Sequence, residues 1–403
     1  MTIEIRSCQT PDEVKQYDAM GSYVFATPEG SAVDVPTQAD WTLCAFDGGS
    51  VVSQVGAFPF TVRLNGAPVK MAGVTMVGTL PAYRRQGLVR RLMARSFEQM
   101  RERDQPLAIL WASMAAIYQR FGYGIAADSV RYTFDPRTAG LQEPFEAPGK
   151  VSLESTTDAY ETIRQLYIDW ASPRNLAIHR SRALWSAGTL RADVKDRPVY
   201  ASIYRNALGV PRGHIVYQTS ESSHLPRFGP NQVLTVKDFI ALDLEAYRAL
   251  WQYILSHDLV GEVEMRGGIG PDDPAPDLLL EPRILRKSVS DAIWMRVVDV
   301  EKACLARPYG ERGELTFALA DTMCPWNTGT YLLETDGRTS DIRRVDRDPD
   351  ITMTPNALAT LLAGCRTPAH LDRAGRLSGS IDALRRAERI FRTEYAPHCP
   401  NGF

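Results

Sequence analysis

Residues 69–112 run through an apolar strand pattern, a turn opened by Pro81, an amphipathic stretch at 88–103 and a second apolar run at 107–112. Within the amphipathic stretch Val89, Leu92, Met93, Phe97 and Met100 fall at i, i+3, i+4, i+8 and i+11, the stripe of a helix laid by one face on a sheet. A helix between two strands makes a crossover, so those strands are predicted to be parallel neighbours. That requirement puts the N-terminal third in the α/β class. Strands are also predicted at 43–46, 51–58 and 60–64, punctuated by Asp47-Gly48-Gly49 and the hairpin dipeptide Asn65-Gly66.

The middle third repeats this order, with strands predicted at 199–204, 213–219 and 233–242 and a helix at 243–257 carrying Tyr247, Leu250, Trp251, Ile254 and Leu255 on one face. Either the architecture is duplicated or a second, unrelated α/β domain follows the first. Breaker-rich stretches at 135–149 and 267–282 mark candidate boundaries. The last third, from near Ser288, reads as a small α+β domain with strands at 314–319, 330–334 and 342–345. Its first helix is capped by Thr354 with Pro355 at the first helical position, and a final helix spans 381–395. A length of 403 residues suits two or three domains at roughly 150 residues each.

Composition excludes several function classes. With 44% hydrophobic and 23% charged residues the chain folds, and a formal charge of -2 gives no footprint for a dedicated nucleic-acid or anionic-membrane binder. The clustered Arg84, Arg85, Arg90, Arg91 and Arg95 lack interleaved aromatics and suit a nucleotide-like cofactor better than a nucleic acid. The six cysteines show no CxxC spacing and the six histidines no HxxxH or HExxH, so neither a metal site nor a redox pair is expected. The charged first twenty residues hold no apolar core segment and no run is long enough to span a membrane, so a cytoplasmic protein is expected.

The most informative stretch is Val77-Gly78-Thr79-Leu80-Pro81-Ala82-Tyr83-Arg84-Arg85-Gln86-Gly87-Leu88-Val89. A strand ends, a turn with two arginines and a glycine follows, and a helix opens, so backbone N–H groups converge where a pyrophosphate could bind. The alternative is an arginine-rich surface turn ahead of an amphipathic helix. Pro81-x-x-Arg84-Arg85-x-Gly87-Leu88 resembles the acetyl-CoA pyrophosphate loop of the GNAT superfamily, Gln/Arg-x-x-Gly-x-Gly/Ala, departing from it at Val89. Downstream, Tyr118-Gln119-Arg120-Phe121-Gly122-Tyr123-Gly124 resembles the Tyr-x-Arg-Phe-Gly-Tyr-Gly signature of the enhanced intracellular survival (Eis) acetyltransferases.

The resemblance covers the whole chain and implies two tandem GNAT-like mixed sheets with helices, plus a small α+β sterol-carrier-like C-terminal domain. It divides the chain into 1–147, an acetyl-CoA-binding and catalytic GNAT domain; 148–287, a structural GNAT-like domain without the pyrophosphate loop; and 288–403, which supplies the C-terminal carboxylate. At the matching junction of the second domain, Ala241-Leu242-Asp243-Leu244-Glu245-Ala246 offers two carboxylates and no glycine, which would repel a pyrophosphate.

The implied reaction is N-acetyl transfer from acetyl-CoA, a co-substrate needing no metal, to a primary amine of a small molecule or lysine, by direct attack in a ternary complex. Backbone N–H groups near Val77 and Thr79 would hold the pantetheine arm and the developing oxyanion, while Arg84, Arg85, Gly87 and Leu88 take the pyrophosphate. Tyr118 matches the family's general acid, and an ordinary phenol pKa near 10 is close enough to that of a thiol, near 8.5, for it to protonate the leaving thiolate. It would otherwise be a core tyrosine on a short helix. Ser113 matches a cofactor-touching position and would otherwise be an N-cap. Tyr123 and Phe121 read as packing residues, although either could wall the acceptor pocket.

The resemblance further implies that the carboxylate of Phe403 enters the active site, where an unrelated chain would have a disordered terminus. With a pKa near 3.5 it would bind the cationic amine and relay its proton through water. Gly402 stands where the family often has an acidic residue, which counts against multiply charged, aminoglycoside-like acceptors. A homo-oligomer, hexameric in the family, is also implied. The competing reading is a noncatalytic apolar-ligand-binding or CoA-sensing protein with a vestigial acetyltransferase half.

Overall fold

The structure, a computed structural model, describes residues 3–26, 37–193 and 197–403. These gather into two compact units: Met1–Ala127 with Ala292–Glu394 and Phe403, and Asp128–Asp291 with Tyr395–Gly402. Both breaker-rich stretches, 135–149 and 267–282, lie inside the second unit.

The first unit opens with strands β1 (Glu4–Arg6), β2 (Thr42–Asp47), β3 (Ser50–Leu64), β4 (Ala67–Thr79), β5 (Leu107–Trp111) and β6 (Gly124–Ile125). The second holds β7 (Asp128–Phe134), β8 (Lys150–Ser155), β9 (Tyr200–Arg205), β10 (Pro211–Glu221), β11 (Gln232–Ala241), β12 (Val260–Met265) and β13 (Arg286–Asp291). The first unit resumes with β14 (Ile293–Val297), β15 (Arg312–Leu319), β16 (Gly329–Asp336), β17 (Ser340–Arg344), β18 (Ile351–Met353) and β19 (Leu377–Gly379). Among the described residues the sheets run β1-β2-β3-β4-β5-β14-β6, β13-β7-β12-β11-β10-β9-β8 and β17-β16-β15-β18-β19.

The predicted crossover is present: β4 and β5 are parallel, Met71 opposite Leu107, and the Leu88–Glu102 helix between them buries Leu88, Leu92, Met93, Phe97 and Met100. Each such large side chain contributes roughly 1.5–3 kcal/mol when fully buried. The predicted strands 51–58 and 60–64 are one strand, with Pro59 opposite Ala72. Neighbouring β2 accompanies β3 only as far as Gly56, so the missing N–H of Pro59 interrupts no second ladder.

The second sheet repeats the first in its construction. Parallel β11 and β12 flank the Leu244–Leu255 helix. A one-residue slip at Lys237, between the pairs Val216–Asp238 and Tyr217–Val236, bulges β11 as a comparable slip bulges β4.

The segment after residue 285 departs from the sequence reading. Here β13 pairs with β7, and β14 enters the first sheet between β5 and β6. The final helix stops at Phe391 rather than 395. Beyond it, Pro397 to Cys399 and Asn401 are buried in the second unit, where Arg180 Nε donates to Asn401 Oδ1 at 3.0 Å. Arg180 also holds Asp238 through two bonds of 2.6 and 3.0 Å, and His214 Nε2 lies 3.2 Å from the same carboxylate. Burial works against that carboxylate, but the Arg180 guanidinium and His214 outweigh it and keep the Asp238 pKa well below the usual range.

His398 in this tail has both ring nitrogens buried without a partner, and burial lowers its pKa from 6.5 to about 4. A depressed folded-state pKa means stability that is complete above pH 6.5 and is lost as pH falls through about 4, because only the unfolded chain takes up the proton in that window. The loss expected is about 3 kcal/mol. Urea unfolding between pH 7 and pH 4 checks this: His398→Phe should flatten the dependence, and an unchanged slope would assign it to other groups.

Candidate active site

Two departures from sheet regularity separate strands β4 and β5 in the first unit. Strand β4 slips by one residue against β3 between Gln54 and Gly56, and Met76 takes φ +53° there. Pairing between β4 and β5 ends at Gly73–Ile109, although β4 continues to Thr79 and β5 to Trp111. Beyond that point the facing edges no longer pair with each other, so their polar groups are available to a third party. Val77, half-buried, lies in this splayed part. The Thr79 hydroxyl is 2.7 Å from Ser53 Oγ, which also donates to the Gly78 carbonyl at 2.9 Å. The Thr79 side chain therefore pins the end of β4, leaving its backbone as the part that could meet a ligand.

At the head of β4, Pro81–Tyr83 form a single 3-10 turn, tied back by the Tyr83 hydroxyl donating to Asp47 Oδ2 at 2.8 Å. Arg84 and Arg85 follow, both exposed, with Arg85 in the left-handed region at φ +63°. Gly87, at φ +75°, is the N-cap of the Leu88–Glu102 helix, and no side chain caps that helix. A Cβ on Gly87 would meet no atom within 4 Å. An uncapped helix N-terminus, open space above its glycine and two neighbouring guanidiniums are what a pyrophosphate requires. Buried Leu88 anchors the helix start beneath it.

The corresponding junction of the second unit is closed. Asp243 caps its helix by accepting from the Ala246 N–H at 2.8 Å, and it pairs with Arg212 at 2.8 Å. Glu245 accepts from the Tyr204 hydroxyl at 2.6 Å. Carboxylates occupy the place that an anion would need.

At the end of β5 the chain turns into the short Ala115–Gln119 helix. Its exit is a Schellman motif: Gly122 N–H donates to the Gln119 carbonyl at 3.1 Å and Tyr123 N–H to the Tyr118 carbonyl at 3.3 Å, with Gly122 left-handed at φ +83°. Both glycines of the signature are also points of close approach. A Cβ at Gly122 would come within 2.2 Å of Arg296 Nη1, and one at Gly124 within 2.1 Å of the Asn356 carbonyl oxygen. Arg296 is fully buried and paired with Asp321 at 2.5 Å.

The motif carries Tyr118 on its last helical turn, buried to 5% exposure, with its ring edge-on to Tyr123 at 5.9 Å. Burial raises the Tyr118 pKa above the ordinary phenol value, and a hydrogen bond with Ser113 pulls the other way. Ser113 is exposed and is not the N-cap, a position held by Met114. Phe121 and Tyr123 are buried in the core beside Tyr118, so they pack.

Phe403 packs on strand β3. Its ring is edge-on to Phe60 at 4.9 Å, and Phe60 lies over Gly73, the last β4 residue paired to β5. Two partners escaped the sequence reading. Phe60 was visible only as a strand residue, and Asn356, which contacts the turn after Tyr118, carries no motif.

Residues 4–126 match the acetyltransferase (GNAT) domain family, residues 176–297 match a second acetyltransferase (GNAT) family, and residues 300–400 match the sterol carrier protein domain family. An uncharacterized N-acetyltransferase of Streptomyces avermitilis is 29% identical, with all of both chains covered. N-acetyltransferase Eis of Mycobacterium tuberculosis is 27% identical over 80% of this chain and 78% of its own. Among solved structures, Eis1 from Mycobacterium abscessus superposes with a TM-score of 0.87 at 27% identity, covering all of both chains. A GCN5-related N-acetyltransferase from Anabaena variabilis, at 21% identity and TM-score 0.87 over all of both chains, shares the fold.

Proposed function

We infer what this chain does from the family it belongs to, the Eis-type GNAT N-acetyltransferases with a sterol carrier protein domain, and from the splay between strands β4 and β5 of its first sheet: it transfers acetyl from acetyl-CoA to a primary amine of a small molecule or lysine, with both substrates bound together. The observation that carries this reading is the uncapped N-terminus of the Leu88–Glu102 helix at the head of a bulged, splayed strand.

Acetyl-CoA supplies the activated thioester. Arg84, Arg85, Gly87 and the N–H of Leu88 hold its pyrophosphate, and the backbone of β4 around Val77 and Thr79 orients the pantetheine arm and polarises the carbonyl. Ser113 is assigned to the cofactor, and Tyr118 protonates the departing thiolate. Phe403 is assigned to the acceptor, its carboxylate binding the cationic amine and passing the proton to water. Its seat on Phe60, at the start of the splay, supports this role. The second GNAT-like domain is structural, because Asp243 already satisfies its helix N-terminus. From the family likeness we carry over a cytoplasmic homo-oligomer; no helix among the described residues is long and apolar enough to cross a membrane.

Thiol release from acetyl-CoA, measured across monoamines, polyamines, aminoglycosides and lysine peptides, tests the reading. Acceptor-dependent release with at least one amine class is expected, weakest with aminoglycosides because Gly402 brings no second carboxylate. Release that no amine stimulates would overturn it.

A further inference from the structure

The Pro355–Ala363 helix belongs to the sterol-carrier-like part of the first unit, and it reaches the turn that carries Tyr118. Asn356, at the second position of that helix, donates both amide hydrogens into the turn: Nδ2 lies 2.9 Å from the Gln119 carbonyl and 2.6 Å from the Tyr123 carbonyl. Two carbonyls leave no ambiguity about which way the amide faces, since Oδ1 in that place would meet only acceptors. The Gln119 carbonyl already accepts from Gly122 N–H, so Asn356 supplies its second bond and closes the loop from outside. The Asn356 carbonyl is in turn held by the Thr360 hydroxyl at 3.0 Å and covers Gly124.

We propose that Asn356 is a positioning residue for Tyr118, fixing the Gln119–Tyr123 turn and hence the direction of the phenol hydroxyl, and that the sterol-carrier-like domain thereby takes part in the acetyl transfer of the first domain. The proposal rests on the reading of Tyr118 as the general acid. The Ala115–Gln119 helix is too short to hold its own geometry in water, so an external clamp at its exit decides where the ring points. A displacement of about 1 Å can cost on the order of 10²-fold in rate.

The test is a double-mutant cycle on the full chain. Asn356→Ala should lower kcat by about ten- to a hundred-fold while acetyl-CoA affinity by calorimetry stays within twofold; Asn356→Ser, which can still donate to one carbonyl, should recover part of the loss. In a Tyr118→Phe background Asn356→Ala should cost less than about twofold more, because the group it aims is gone. Equal fractional losses in both backgrounds would show a merely structural contact and overturn the proposal. Fluorotyrosine incorporation gives a readout independent of turnover, with residue 118 assigned by the 19F line missing in Tyr118→Phe. Asn356→Ala should shift or broaden that line, and an unchanged line would overturn the proposal. A fully active Tyr118→Phe enzyme would sink the general-acid reading alone, with the clamp then judged by the 19F line.

Discussion

Tyr118→Phe is expected to lower kcat by about 10²–10⁴-fold, the range of general-acid assistance, and to leave acetyl-CoA affinity nearly unchanged. The ring sits in the core against Tyr123, so phenylalanine keeps the packing and removes only the hydroxyl. The loss then falls on the transition state rather than on binding. Burial raises the Tyr118 pKa, so the phenol stays protonated throughout the neutral range, and the alkaline fall of kcat in the parent enzyme should begin above the ordinary tyrosine value of 10. Single-turnover rates over pH 6 to 11 read both quantities. A full-rate variant with an unaltered alkaline limb would show that water or another group protonates the thiolate.

The second large effect is on binding. Gly87→Asp should abolish detectable acetyl-CoA binding in calorimetry while the melting temperature is maintained. Open space above Gly87 admits the side chain without a clash, Asp tolerates the left-handed φ of +75° better than most residues, and its charge is favourable at a helix N-terminus. That negative charge is what excludes phosphate, as the Asp243 carboxylate does at the matching helix of the second unit. The variant would hold its fold and lose its ligand. Unchanged affinity would place the pyrophosphate elsewhere.

Much of this site was legible in the sequence because it is local. The stripe from Val89 to Met100 specifies a helix and its buried face, Gly87 marks the turn before it, and the run from Tyr118 to Gly124 encodes a complete helix exit with its left-handed glycine. What escaped depends on partners distant in the chain. A one-residue slip in β4 is decided by how two strands register, and no single residue there announces it. Strand β14 is buried along its whole length, with Arg296 its one charged residue, yet nothing in Ile293–Val297 says which sheet it joins. Cys8 and Cys44 meet at 3.8 Å only because β1 pairs with β2, a contact hidden by their separation. Asn356 touches the turn after Tyr118 across a far wider gap, 237 residues.

The path of β14 also bears on how the protein is made. The segments Met1–Ala127 and Ala292–Glu394 fold together, so everything between them must leave the ribosome before Ile293–Val297 can line up against Leu107–Trp111 and receive Gly124–Ile125 on its other side. At about 5–20 residues per second, that wait lasts roughly ten to thirty seconds. Throughout it the nascent first sheet presents an apolar strand edge, the kind of surface that recruits other chains. A gene fragment stopped at Ala127 would make this transient edge permanent, and its product should depend on chaperones or precipitate even though it holds the Arg84–Gly87 turn and Tyr118.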